Sequence, residues 1–168
     1  MLHQPNFFAV TGGPGAGKTT LLRHLQGLGE IVVEESARAI LQAHGVRPDQ
    51  ARLAELMLER DLAAYRAARG RTFFDRSLVD AWAMLRARGP CPAADEAVRT
   101  CRYHRLAFIA PPWREIYVQD AQRIQTWAEA VETYERCAEA YQAAGYELVE
   151  LPRVSVEDRA EFVLDRAR

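Results

Sequence analysis

Lysine is almost missing from this chain. Of its 22 basic residues one is lysine, Lys18, and the rest are arginine. Base-composition bias accounts for an arginine excess but not for the one exception. Basic and acidic side chains nearly cancel, to a net charge of −1, so no overall field draws the chain to nucleic acid or an anionic membrane. No run of about 18 apolar residues exists, which excludes a membrane-spanning helix. The stretch from Met1 to Phe8 lacks a basic n-region and a long apolar h-region, so secretion is not expected. Three cysteines, Cys91, Cys101 and Cys137, cannot all pair and lack zinc-site spacing. They read as reduced thiols in a cytoplasmic protein. His3, His24, His44 and His104 are scattered, none at ligand spacing from a cysteine or another histidine. We read them as structural or surface residues.

What is present centres on the lone lysine. Gly12-Gly13-Pro14-Gly15-Ala16-Gly17-Lys18-Thr19 matches G-x-x-x-x-G-K-[ST] without a gap, and Thr20 follows. Lysine and arginine are not interchangeable at such a place: a compact ammonium fits between the β- and γ-phosphates where a planar fork does not. Glycines let the backbone turn sharply toward an anion, so the loop N–H groups face the phosphates. A helix starting near Lys18 adds the positive end of its dipole. Thr19 is placed to hold Mg²⁺ through its hydroxyl. The alternative, a glycine-rich turn with a chance lysine, has the flanking pattern against it: an apolar strand before the loop and a helix after it.

Short apolar strands alternate with helices along the chain. Strands are expected at Asn6 to Thr11, Ile31 to Val33, Thr72 to Phe74, Leu106 to Ala110 and Tyr146 to Leu151. Helices are expected over Lys18 to Leu28, Glu35 to His44, Gln50 to about Ala68 behind Asp49, around Val79 to Leu85, over Ala94 to Tyr103, and after Ser155. The longest is expected from Ala121 to Ala144, where Ile124, Trp127, Val131, Tyr134, Ala138 and Tyr141 recur at helical spacing. Strands without strict alternation fit a parallel five-stranded sheet covered by helices on both faces, an α/β fold in one domain over residues 1–168. No repeat, low-complexity stretch or linker divides it.

Ligands of such sheets gather at the carboxyl ends of the strands, where Gly12, Glu34, Asp75 and Pro111 fall. Asp75, directly after the third strand, can order Mg²⁺, accept a proton from an acceptor hydroxyl, or simply turn the chain. Arg76 beside it can neutralise charge on a transferring phosphoryl group. Glu35 follows the second strand, and it or Glu34 can face an acceptor. Glu35 and Arg38 are also spaced as a surface ion pair. Residues 111–125 read as a lid-like segment whose arginines, Arg123 first and Arg114 second, would close over the phosphates. Trp113 is a candidate for stacking on a base or for ordinary packing.

Other loop enzymes are excluded by what is missing. No second lysine exists to form an Asn-Lys-x-Asp guanine-reading step, and neither an Asp-x-x-Gly switch nor a Leu-Ser-Gly-Gly signature occurs. At 168 residues there is no room for the helical lid domain of a ring-forming motor.

The pattern resembles the AAA_28-type P-loop ATPase/kinase family. That family relates to the ATP-binding domain of bacterial ribosylnicotinamide kinase and, more distantly, to deoxynucleoside kinases. The resemblance rests on Gly12 to Thr19, on Glu35-Ser36-Ala37-Arg38, on Phe74-Asp75-Arg76-Ser77, and on the long helix followed by Gly145 to Pro152. It implies a P-loop NTPase of small-kinase type, in the manner of adenylate and nucleoside kinases, with ATP and Mg²⁺ as cofactors. The implied activity is γ-phosphoryl transfer to a nucleoside-like or other hydroxyl acceptor. The alternative is an ATPase or nucleotide-dependent switch acting through a protein partner. Lys18, Asp75, Arg76, Arg123 and Glu35 would be catalytic. Residues 12–20 would bind the nucleotide, and Thr19 and Asp75 the metal.

Overall fold

The computed structural model describes residues 2–43, 48–118 and 125–168. Strands are β1 (Leu2–His3), β2 (Phe7–Gly12), β3 (Ile31–Val33), β4 (Thr72–Asp75), β5 (Cys101–Arg102), β6 (Leu106–Ala110) and β7 (Glu147–Glu150). Helices are α1 (Lys18–Gly27), α2 (Ser36–Ala43), α3 (Gln50–Ala67), α4 (Leu78–Arg86), α5 (Pro92–Thr100), α6 (Trp127–Ala143) and α7 (Val156–Arg166).

Five strands form one sheet in the order β3-β4-β2-β6-β7, every pairing parallel. Val10 in β2 lies opposite Asp75 in β4 and Phe108 in β6, so the carboxyl ends of the central strands stand level. The chain leaves β2 toward β4 and β3, then crosses back to β6 and β7. The strand order therefore reverses around β2, and a crevice opens beyond Gly12.

The sheet is buried on both faces because its residues alternate between two cores. Phe7 and Ala9 of β2 join Phe74, Trp82, Tyr103 and Tyr141 under α2 to α6. Phe8 and Val10 join Phe73, Phe108, Leu21, Leu25 and Val163 under α1 and α7. Burying each such side chain contributes about 1.5–3 kcal/mol, and truncating Phe8 to alanine would cost about 3–5 kcal/mol.

The expected strands are all present within a residue or two, but three helical expectations need correction. The stretch Ala94 to Tyr103 is helical only as far as Thr100, and the helix starts earlier, with Pro92 in its first turn. Cys101–Arg102 instead pairs with Leu2–His3 in a two-stranded parallel sheet. The helix expected from Ala121 begins at Trp127: Thr126 caps it, accepting from Glu129 N at 3.3 Å while Glu129 returns a bond to the Thr126 N–H at 2.6 Å. At 17 residues it is shorter than α3 at 18, the longest helix described. Part of that expectation, 121–124, lies outside the described residues. Two other helix starts need no change: Asp49 and Ser155 cap α3 and α7 through their side chains, as their sequence positions suggest.

Candidate functional site

Beyond Gly12 the chain turns through the glycine-rich loop into α1. The N-cap of α1 is Gly17 in the left-handed region, φ 78°, and no side chain caps it. Its first N–H groups are thus left for an anion. Space, as well as φ, dictates glycine here. A Cβ on Gly13 would lie 2.4 Å from the carbonyl oxygen of Ala130 in α6.

Lys18 is buried, its ammonium donating to the main-chain carbonyls of Gly13 at 2.7 Å and Gly12 at 3.2 Å. Burial, then the nearby Arg76 charge, lowers its pKa to about 8 against the opposing pull of Asp75 and Glu35. Thr19 Oγ1 lies 3.4 Å from Asp75 Oδ2. The other carboxylate oxygen of Asp75, Oδ1, is buried and makes no hydrogen bond. Burial raises the Asp75 pKa, Lys18 opposes the shift, and Glu35 adds to it. An unpaired buried carboxylate oxygen costs free energy unless a cation or donor arrives.

Arg76 is the only non-glycine residue with positive φ among the described residues, at 72°. Left-handed backbone costs a residue with a Cβ about 1–2 kcal/mol. Its Nε donates to Glu35 Oε1 at 2.8 Å and its Nη1 to Asp80 Oδ1 at 3.2 Å. Burial pushes the Glu35 carboxyl up, but Arg76 and Lys18 outweigh it, so the group stays below its usual value and ionised. Arg38, exposed, stands 3.8 Å from the same carboxylate. The Glu35 that could have been a plain surface pair is thereby tied into the interior.

The structure brings together Lys18, Thr19, Asp75, Arg76 and Glu35, with the carbonyls of Gly12 and Gly13. Gly15, Gly17 and Thr20 line a cavity of about 320 Å³ together with Trp113, Ile116 and Arg159. Pro14 is half-buried on the loop, and Ala16 is buried with its carbonyl accepting from Arg159 Nη2 at 3.2 Å. Arg114 is turned away, 5.1 Å from the ring centre of Trp127 at the start of α6. Arg123 lies outside the described residues, as do His44 and part of the lid-like segment.

Several neighbours of the site have no counterpart among the sequence motifs. Arg159 of α7 is buried against the loop, with its Nε unpaired and Trp113 5.7 Å away. Burial lowers its pKa. Asp61 of α3 is buried behind Glu35, its Oδ1 accepting from the Ser36 hydroxyl and its Oδ2 unpaired. Burial raises it to about 7, against the Ser36 bond and with Asp80 adding to the rise. Asp80 alone carried a readable signal, as the acidic residue of a Ser77-x-x-Asp80 helix start. Nothing in the linear pattern linked the others to the site.

A family model described as AAA domain, AAA_28, matches residues 7–159. The chain belongs to the AAA_28 family. No curated protein sequence matches it significantly. Among solved structures, a NadR protein in complex with NR is similar at 22% identity and TM-score 0.73, over 95% of this chain and 50% of that one. This chain thus spans about half the length of that relative. Deoxyadenosine kinase from M. mycoides, solved with dCMP and dCDP, matches at 11% identity and TM-score 0.68, over 95% and 97% of the two chains. Shikimate kinase from Acinetobacter baumannii, in complex with shikimate, matches at 14% identity and TM-score 0.57, over 96% and 92%. The AAA_28 chain therefore has the P-loop kinase-like fold, a parallel five-stranded sheet flanked by helices. No helix among its described residues is long and apolar enough to cross a membrane.

Proposed function

We propose that this protein is a Mg-ATP-dependent phosphotransferase that moves the γ-phosphoryl group to a hydroxyl of a nucleoside-like small molecule. The observation that carries this reading is the pairing of a buried ammonium parked on two loop carbonyls with Asp75, whose Oδ1 lacks a partner 3.4 Å across from the Thr19 hydroxyl at Oδ2. Polyphosphate oxygens would draw Lys18 off those carbonyls.

Thr19 and Asp75 fit a magnesium ion. Both offer hard oxygen donors, and among the described residues no cluster of three acidic, histidine or cysteine side chains could enclose a metal alone. Phosphate oxygens and waters would complete the shell, as this ion prefers. Held by Thr19 and Asp75, such an ion would supply positive charge against the phosphates.

The remaining roles follow from position. Glu35, ionised and on the acceptor side, takes the proton of the attacking hydroxyl. Arg76 steadies charge on the phosphoryl group. Thr20 and the loop glycines lead toward the cavity beside Trp113 and Arg159, where the base of the nucleotide would lie. Arg123 and the segment 111–125 would close over the phosphates.

The test is ADP release from ATP and Mg²⁺ across a panel of nucleosides, vitamins and sugars. Release that requires one acceptor supports phosphotransfer. Slow release indifferent to every acceptor would replace this reading with a hydrolytic switch acting through a protein partner.

A further inference from the structure

Asp80 sits at the meeting point of four parts of the fold. Its Oδ1 accepts from the Thr11 hydroxyl of β2 at 2.7 Å, from Arg76 Nη1 at 3.2 Å, and from the Cys137 thiol of α6 at 3.7 Å. Its Oδ2 accepts from the Ser77 N–H at 2.9 Å and from the Tyr141 hydroxyl of α6 at 2.7 Å. Tyr141 also shares a 2.6 Å bond with the Ser77 hydroxyl. With five donors on two oxygens, and its side chain 4% exposed, the carboxylate has no lone pair left for a ligand.

Helix capping explains only part of this. The capping box of α4 uses the bond from Ser77 N to Oδ2. It requires nothing of Oδ1, which takes Thr11 and Arg76. Arg76, for its part, holds a left-handed backbone that needs outside restraint. The guanidinium is gripped at Nε by Glu35 and at Nη1 by Asp80, while Nη2 makes neither of those bonds. Without the Asp80 grip, only the long 3.9 Å contact of Nη1 with the Cys137 sulfur would oppose a swing of Arg76 about its bond to Glu35.

We propose that Asp80 is a positioning residue, which locks the Arg76 guanidinium between Glu35 and the phosphate loop and leaves Nη2 to meet the transferring phosphoryl oxygens. This rests on the phosphotransfer reading above. The fold keeps both Asp80 oxygens saturated so that one arginine points one way.

The test is a double-mutant cycle on ADP release, with Asp80→Asn, Arg76→Met and the pair. Asp80→Asn is expected to lower kcat about 10²-fold, the scale of a displaced reacting group, with the KM for nucleotide nearly unchanged. In the Arg76→Met background the same change should cost almost nothing further. Additive losses, or a loss matched by the folded fraction in a melting curve, would overturn the proposal. Tyr141→Phe serves if Asp80→Asn does not fold: it loosens Oδ2 without removing charge, and its smaller kcat loss should likewise vanish in Arg76→Met. A wild-type chain that releases no ADP defeats the phosphotransfer reading instead. The ordering claim is then decided by ¹⁵N NMR of the Arg76 side chain. Guanidinium signals sharpened by hindered rotation in wild type and lost in Tyr141→Phe or Asp80→Asn support it, and signals alike in all three overturn it.

Discussion

The ammonium of Lys18 lies 2.7 Å from the carbonyl oxygen of Gly13. Burial, with the Arg76 charge nearby, disfavours its charged form, and its pKa falls to about 8. Triphosphate binding needs the charged form. Affinity should therefore be near its maximum at pH 7, fall about twofold by pH 8 and weaken further above, by up to about tenfold per pH unit. Lys18→Ala should abolish both the affinity and its pH dependence. Calorimetry between pH 7 and 10 checks this, and affinity unchanged by Lys18→Ala would refute the loop's role.

Asp75 carries a cost in stability. Its buried, unpaired Oδ1 raises its pKa in the folded chain. A carboxyl raised on folding binds its proton more tightly when folded, so its contribution to stability declines as pH rises past the unfolded value. Asp75→Asn should thus melt higher at neutral pH and still bind nucleotide. Turnover should fall about 10²–10³-fold, as when one electrostatic group at a transition state is removed. Retained turnover would strip Asp75 of that role.

Asp61 provides a cleaner pH signature. Burial raises its pKa to about 7 in the folded chain, from an ordinary value of 3.8. Between those values the folded chain holds a proton that the unfolded chain has released, so stability falls as pH rises from about 4 to about 7. Asp61→Asn keeps an acceptor for Ser36 and removes the titration. Its melting temperature should match wild type near pH 4 and exceed it at pH 8, by about 2–4 °C per kcal/mol recovered. Parallel melting curves at all pH values would show that Asp61 does not titrate in this range.

Two glycines should respond oppositely to alanine. A Cβ on Gly13 meets the Ala130 carbonyl at 2.4 Å, backbone that cannot step aside, whereas one on Gly27 meets nothing within 4 Å. Gly13→Ala should destabilise by about 1–3 kcal/mol through overpacking. Gly27→Ala, at the end of α1, should stabilise by about 0.4–1 kcal/mol by restricting the unfolded chain. Thermal denaturation of both variants reads the difference in sign.

The phosphate loop could be read from sequence because its chemistry is local. Four glycines, a lysine and a threonine at fixed spacing specify one backbone path, and short apolar runs between helical stretches imply a covered parallel sheet. Asp75 and Glu35 were legible for the same reason: one ends a strand and the other lies two residues beyond one, and strands of a parallel sheet end on one side. The start of α6 was less so. Its helical spacing runs on upstream of Thr126, and only the cap geometry shows where the helix begins.

What sequence could not supply is the pairing of residues far apart along the chain. Asp61 behind Glu35, Arg159 against Ala16, and Asp80 between Thr11, Arg76 and Tyr141 arise only when helices from distant segments pack on the two faces of the sheet. Sequence alone determined that this protein has a glycine-rich loop with its one lysine on an α/β frame, because those signals need only neighbours. Tertiary structure decided which charges are buried, paired or left open, because desolvation and hydrogen bonding depend on what surrounds a group in space.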